Sequence, residues 1–537
     1  METAMITGKT TSRPGENGGR ASRYLTTSIP YVNAPPHLGF AMEMIQADSL
    51  ARLYRLEGYE VRFQAGSDEN SLKNVRAAEA AGITVEALVR TNAERFYGLK
   101  SALNLSFDDF IRTSSDPRHR SGVERFWAAC AGNGDIYKRS YEGLYCTDCE
   151  QFYQPAELPD DRCPEHGTKP ENIAEENYFF RLSRYQDALR RIIASGAMEI
   201  IPHGRRNEVL AWIERIEDFS ISRSAARARG WGIPVPGDPD QIIYVWFDAL
   251  GNYVTALDYG TDGASLSRFW QHAAAREHVI GKGITRFHTL YWPAMLLSVG
   301  LPLPTRILVH GYVTVEGRKI AKSAGNAVDP LPLAAELGTD ALRYYLLRHI
   351  RTTEDGDFSH ERFVQAYGSE LAGQLGNLAH RTVRMIEQYC DGVIPAPVPG
   401  RCGSNELLRA ADALPATVRA HLERFAFHDA LAAVWTLIAC ANKYVNDAQP
   451  WRLARQAALG DGAEATAALA ELQNCLADLA RTLCVIGQCL APMLPSTSEK
   501  LLAQLGVDGL SARFDDNIAL AGNRVDAAHL LFPRPEQ

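Results

Sequence analysis

Two short stretches of this 537-residue chain carry residue types suited to phosphate chemistry. The first, Pro36-His37-Leu38-Gly39-Phe40, follows the apolar run 24–31. The second, Lys319-Ile320-Ala321-Lys322-Ser323, follows the run 307–315. Each has the form of a strand followed by a turn. A glycine at position 39 allows close backbone approach to a nucleotide, and amides at a helix N-terminus add partial positive charge there. The His37 imidazole can donate to a phosphate oxygen. Lys319 and Lys322 are mobile point charges suited to β- and γ-phosphates. Either stretch alone is a common pattern; the two in this order, each after a strand, point to a nucleotide site.

Such a site needs a scaffold, and the pattern along the chain supplies one. Strands are expected over 24–31 and 60–66, with a helix over 41–57 between them. That βαβ order implies a parallel sheet. From about 111 to 236 the texture changes to short aromatic-rich strands, a Cys/His cluster and a basic helix near Arg205-Arg206. Strand-like runs return at 241–247, 277–280 and 306–315. One nucleotide-binding fold split by an insertion explains this order. Past Pro330 helical periodicity dominates, over 375–390, 421–445 and 464–491, with a loop at 395–403.

Composition is that of an ordinary soluble protein, 46% apolar and 22% charged. No apolar run reaches the ~18 residues that span a bilayer, so no membrane partner is expected. Residues 1–22 lack the apolar stretch of a signal peptide and have the composition of a disordered tail. The net charge of −8 gives no nucleic-acid footprint by itself, although local basic patches can bind RNA on an acidic protein. Ten cysteines, most of them scattered through apolar helical stretches, suit a reducing cytoplasm.

Three of those cysteines cluster. Cys146-Thr147-Asp148-Cys149 is followed by Cys163-Pro164-Glu165-His166. CxxC followed by CxxH is tetrahedral Zn²⁺ spacing, and a closed set of four ligands implies a structural site.

The two phosphate stretches resemble the HIGH and KMSKS signatures of class I aminoacyl-tRNA synthetases. From about residue 23 to the end the chain is similar to the methionyl-tRNA synthetase family. The similarity extends through Gly232-Ile233-Pro234-Val235-Pro236, Tyr244-Val245-Trp246-Phe247-Asp248-Ala249, Phe287-His288 with Tyr291-Trp292-Pro293, and Val309-His310-Gly311-Tyr312-Val313. This resemblance implies an α/β fold: a Rossmann-type parallel sheet in two halves (23–115 and 237–330), split by a zinc-bearing connective insertion (116–236). A stem-contact segment (331–368) and an all-α anticodon-binding-like domain (369–537) follow. It implies ATP binding at His37, Gly39, Gly281, His310, Gly311, Val313, Lys319, Lys322 and Ser323, with Mg²⁺ accompanying the nucleotide. His37, Lys319 and Lys322 are the expected catalytic groups. The implied methionine pocket is Ile29, Tyr31, Asp68, Trp246, Ala249, Tyr253, Ile284 and His288. Asn377, Arg381 and Trp451 fall on positions that read the anticodon of tRNA(Met). A cytoplasmic monomer is expected.

Four departures from the family pattern stand out. Phe40 replaces the second His of the first signature. In Gly66-Ser67-Asp68-Glu69-Asn70-Ser71, Asn70 and Ser71 stand where the family has His and Gly. Gly283 replaces an Asp, and Ile320-Ala321 replace Met-Ser. Three of these are expected on the nucleotide side of the site. The drift leaves a second enzymatic reading, an aminoacyl-adenylate-forming relative that passes the amino acid to a small amine or hydroxylamine. A third is a non-enzymatic RNA-binding protein, which the retention of His37, Lys322 and the pocket disfavours.

Overall fold

The computed structural model describes residues 20–146, 151–164, 167–261, 263–319, 327–398, 406–507, 517–526 and 530–533. They form two compact units. One comprises Met1–Pro36, Glu60–Lys100 and Phe107–His310; the other comprises His37–Tyr59, Ser101–Ser106 and Gly311–Gln537.

In the first unit six strands make one parallel sheet: β1 (Ser22–Thr27), β2 (Glu60–Ser67), β3 (Asp109–Arg112), β4 (Glu199–Ile201), β5 (Ala275–Gly281) and β6 (Arg306–His310). Their order is β3-β2-β1-β5-β6-β4. Leu25 pairs with Phe63 on one side and Glu277 on the other. Tyr24, Leu25, Phe63, Val279, Ile280, Ile307 and Leu308 are all fully buried, as expected for parallel strands covered on both faces. The strand order reverses between β1 and β5, and the crevice at the carboxyl ends of such a pair is where open α/β sheets bind ligands.

The insertion is antiparallel. Gln151–Tyr153, Ile136–Cys146, Glu171–Phe180 and Phe219–Ser220 form a four-stranded sheet in that order. Between its last two strands lies β4, which returns to the parallel sheet as the neighbour of β6. Three residues are too few to show a period, so the sequence pattern does not reveal it.

In the second unit α1 (Leu38–Leu56) carries His37 as its N-cap. Past a short sheet of Val313–Val315, Arg318–Lys319 and Gly356–Phe358, the described chain is helical. The helices expected over 375–390 and 464–491 are found at Asn377–Tyr389 and Ala463–Leu490. The one expected from 421 begins later, at Phe427, because Phe425 adopts a φ of 63° and closes the preceding helix Glu406–Glu423. Arg343, on the helix Thr339–Arg348, is fully buried and pairs with Asp48 of α1 at 2.8 Å. Its guanidinium also donates to the carbonyls of Met493 (2.7 Å) and Leu103 (3.1 Å). Burial alone would raise the Asp48 carboxyl. Arg343, Arg52 and hydrogen bonds from Ser106 outweigh it and hold the group below its usual range.

Candidate active site

The carboxyl ends of β1, β2 and β5 lie side by side and bring the pocket residues to one edge of the sheet. After β1, Tyr31 bridges to Asp68, and the Asp68 amide donates to the Pro30 carbonyl at 2.8 Å. Gly66 is required where it stands: a Cβ there would lie 2.5 Å from the Ile111 carbonyl oxygen and 2.8 Å from Ile29 Cγ2. Lys73, on α2 (Leu72–Ala81), holds its ammonium 4.7 Å from the centroid of the Tyr31 ring.

The strand expected over 241–247 ends at Ile243, and α3 (Val245–Thr255) begins two residues later. Tyr244 is extended and caps it, and Asp248 in the first turn complements the helix dipole. Trp246, Ala249 and Tyr253 therefore recur at helical spacing, not at strand spacing. Trp246 lies flat on Phe287, with centroids 3.7 Å apart and planes 5° off parallel. Phe287 and His288 sit on a widened π-helical turn, Phe287–Tyr291, a feature common at functional sites.

The Tyr253 hydroxyl lies 2.7 Å from His288 Nε2, and His288 Nδ1 lies 3.0 Å from the Ile284 carbonyl. A carbonyl only accepts, so Nδ1 carries a proton, and in the neutral ring Nε2 accepts from the tyrosine. Beneath them His278 is fully buried. Its ring stacks on Tyr253 at 4.1 Å, its Nε2 accepts from Trp292 at 3.2 Å, and its Nδ1 lies 2.7 Å from the Thr26 hydroxyl. Burial pushes the His278 pKa well below its ordinary value. Sequence reasoning missed His278, because a lone histidine in an apolar strand gives no signal. It also missed Arg223, which is buried with its guanidinium 4.2 Å from the Tyr244 ring centroid. Arg223, Asn70 and Trp231 help to line a small open pocket.

Gly281 and His310 are partners in register at the ends of β5 and β6. A Cβ on Gly281 would sit 3.4 Å from His310 Cε1. Gly283 lies in the short turn Lys282–Ile284. Asn70 is held within the protein by two hydrogen bonds. Its amide donates to Asp248 Oδ2 at 2.7 Å and to the Thr113 carbonyl at 3.3 Å. Ser71 caps α2 by accepting from the Lys73 amide at 3.0 Å.

The other phosphate-type residues belong to the second unit. His37 Nδ1 accepts from the Gly39 amide at 3.1 Å, which leaves the proton of a neutral ring on Nε2. A Cβ on residue 39 would fall 2.9 Å from His37 Cε1, so any larger residue there would press on the imidazole. Phe40 packs against the His37 ring, with centroids 4.3 Å apart. Gly311 is forced too, since a Cβ would reach 2.0 Å from the Glu354 carbonyl oxygen. Val313 opens the strand Val313–Val315, and Lys319 ends Arg318–Lys319. Lys322 and Ser323 lie outside the described residues. On the helical bundle the Arg381 guanidinium stands 5.8 Å from the ring centroid of Trp451, which is 39% exposed. Asn377, one turn before Arg381, is exposed.

Of the expected zinc ligands, Cys149 and His166 also lie outside the described residues. Cys146 and Cys163 are both buried, and with Tyr153 and Leu158 they form a small core of their own. Among the described residues no group of three or more His, Cys, Asp or Glu could hold a metal. Two buried thiols in one satellite cluster fit half of a closed, structural ligand set.

A family model described as tRNA synthetases class I (M) matches residues 23–169 and 148–383. A methionine–tRNA ligase of Thermosynechococcus vestitus is 43% identical over 513 residues, which covers 93% of this chain and 93% of that protein. One of Brucella suis is 39% identical over 523 residues, covering 96% of this chain and 98% of that protein. Among solved structures, Mycobacterium tuberculosis methionyl-tRNA synthetase in complex with methionyl-adenylate matches with a TM-score of 0.89 at 38% identity, over 96% of this chain and 100% of that one.

His37 sets a pH dependence. Burial lowers its pKa from 6.5 to about 4. In the unfolded chain the imidazole takes its proton at the higher value, and in the folded chain only at the lower one. Across that window the unfolded state binds more protons, so stability rises with pH. The contribution is complete above the unfolded pKa and is lost as pH falls toward the folded one. Urea unfolding between pH 4 and 6.5 is expected to show a steeper pH dependence in the wild type than in His37→Gln, by at most about one proton. Identical slopes would contradict the assignment.

Proposed function

We propose, from the premise that this chain belongs to the class I methionyl-tRNA synthetases, that it activates methionine with ATP and transfers it to tRNA(Met). A carboxylate oxygen of methionine attacks the α-phosphorus, the bond to the bridging β-phosphate oxygen breaks, and pyrophosphate leaves. A terminal ribose hydroxyl of the tRNA then attacks the adenylate carbonyl, and AMP departs. The protein's part is positioning and charge stabilisation.

The observation that carries this reading is the wall made by Tyr253, His288 and the Trp246–Phe287 stack. It is aromatic, and the Tyr253 hydroxyl is already committed to His288, which suits a polarizable thioether. Buried Asp68 is the partner for the substrate ammonium. The proton on His37 Nε2 serves a phosphate oxygen. Lys319 and Lys322 carry the charge that balances departing pyrophosphate, and Mg²⁺ accompanies ATP as part of the substrate. Cys146, Cys149, Cys163 and His166 hold one structural Zn²⁺ that folds the insertion. No described helix is long and apolar enough to cross a membrane. A cytoplasmic monomer is the working form we propose.

The exposed Trp451 with Arg381 beside it favours tRNA over a small amine or hydroxylamine as acceptor. Unpaired bases are recognised by stacking on aromatic and guanidinium planes and by hydrogen bonds such as Asn377 offers.

Two measurements check these assignments. Metal analysis of untagged protein is expected to return about one zinc per chain, and a zinc-free folded protein would remove that site. Trp451→Ala is expected to lower kcat/KM for tRNA(Met) charging roughly 5- to 150-fold, the equivalent of one stacked base. Methionine-dependent pyrophosphate exchange should stay within about twofold, because only the tRNA step uses that face. Unchanged charging, or parallel loss in both assays, would contradict the assignment of Trp451 to the acceptor.

A further inference from the structure

The loop between β2 and α2 is buried throughout: Ser67 to Ser71 are each at most 9% exposed. On one side its Asp68 amide donates to the Pro30 carbonyl after β1 (2.8 Å), and on α2 the Asn74 amide donates to the carbonyls of Asp68 (3.1 Å) and Glu69 (2.9 Å). Toward the helix that bears the pocket wall, the Asn70 amide donates to Asp248 Oδ2 at 2.7 Å. Asp248 lies between Trp246 and Ala249 on α3, and it is fully buried. Its other oxygen faces His119 Nε2, and His119 Nδ1 lies 2.8 Å from the Thr255 hydroxyl on the same helix. Both carboxylate oxygens are thus engaged, so the carboxylate cannot turn without stranding a buried partner.

We propose that Asn70 is a positioning residue for the amino-acid substrate: through Asp248 it fixes the loop that carries Asp68 against the helix that carries Trp246 and Tyr253. The proposal rests on the methionine-activating reading above and assigns Asn70 a part in it. Asp68 stands two residues before Asn70, and Trp246 two residues before Asp248. This hydrogen bond therefore links the loop of the group that would pair with the substrate ammonium to the helix of the wall that would take its side chain. An amide suits the position because it is a neutral donor that meets a buried carboxylate. The imidazole of the family pattern gives way here to a shorter side chain. The phosphates of ATP make no demand on this bond, so its loss falls on methionine.

The test exchanges donor and acceptor. Asn70→Asp sets a carboxylate against a carboxylate, and Asn70→Asp combined with Asp248→Asn rebuilds that bond in the opposite sense while still accepting from His119; both variants give up the longer bond from Asn70 to the Thr113 carbonyl (3.3 Å). In pyrophosphate exchange, N70D is expected to raise KM for methionine about tenfold, as for a buried acceptor stripped of its donor, with KM for ATP within about twofold. The double variant is expected to return KM for methionine to within about threefold of the wild type. Asn70→Ala, which removes the donor without adding charge, gives the same split on a smaller scale and serves if N70D does not fold. An unchanged KM for methionine, a double variant no better than N70D, or both KM values rising together with a lowered Tm would overturn the role of Asn70 while leaving the activity reading in place. Wild-type protein without methionine-dependent exchange would overturn both.

Discussion

Tyr253 is pinned at three points, and the pocket is arranged around that constraint. Its hydroxyl is given to His288, its ring rests on His278, and its backbone carbonyl accepts from the Tyr24 hydroxyl at 2.9 Å. These contacts tie α3 to β1, to β5 and to the π turn. All the side chains concerned are buried, so a missing partner in the network would cost about 1–3 kcal/mol for each group left unsatisfied. A satisfied network of this kind specifies one arrangement of the core. Within it, burial disfavours a charge on His278.

The second unit uses the opposite device. Asp48 and Arg343 are charged and fully buried, and they join α1 to the helices that follow. Removing one member of such a pair costs about 3–5 kcal/mol, because the survivor is stranded, whereas the intact pair is worth little against well-packed apolar residues. Its value lies in register. The Asp48 carboxylate also accepts from the Ser106 amide at 2.6 Å and from Arg52 at 2.7 Å. The helix that opens with His37 is thus locked along its length. At its N-terminus the geometry is equally closed: Gly39 feeds the imidazole, and Phe40 covers its face. Phe40 leaves this terminus one donor poorer than the family pattern, and the sheltered, neutral His37 is the donor that remains.

Much of the frame was legible in the sequence because it is local. The helix expected over 41–57 and the strand over 60–66 lie within a few residues of α1 and β2, since amphipathic and apolar periods report directly on such elements. The run 241–247 misled because apolar residues at a strand end and at the start of a buried helix look alike over seven positions; only the extended Tyr244 separates them. The glycines were found, but their close neighbours were not legible: Gly39 lies against the His37 ring, and Gly311 against a backbone carbonyl 43 residues downstream in sequence. The role of Asn70 was out of reach, because its partner Asp248 is 178 residues away and neither side chain is unusual by itself. The pocket residues were legible through resemblance alone. By composition Trp246 and Tyr253 would pass for ordinary core aromatics.

The wall of Tyr253, His288 and Trp246 has to select methionine before any tRNA is present. The direct measurement is ATP–pyrophosphate exchange by the purified full-length protein with each amino acid in turn and no tRNA added. Exchange driven by methionine, with leucine and isoleucine weaker by roughly a hundredfold or more, is the predicted result, since a pocket discriminates by shape and by the polar atoms it leaves paired. Absence of exchange with methionine, or equal exchange with leucine, would contradict it.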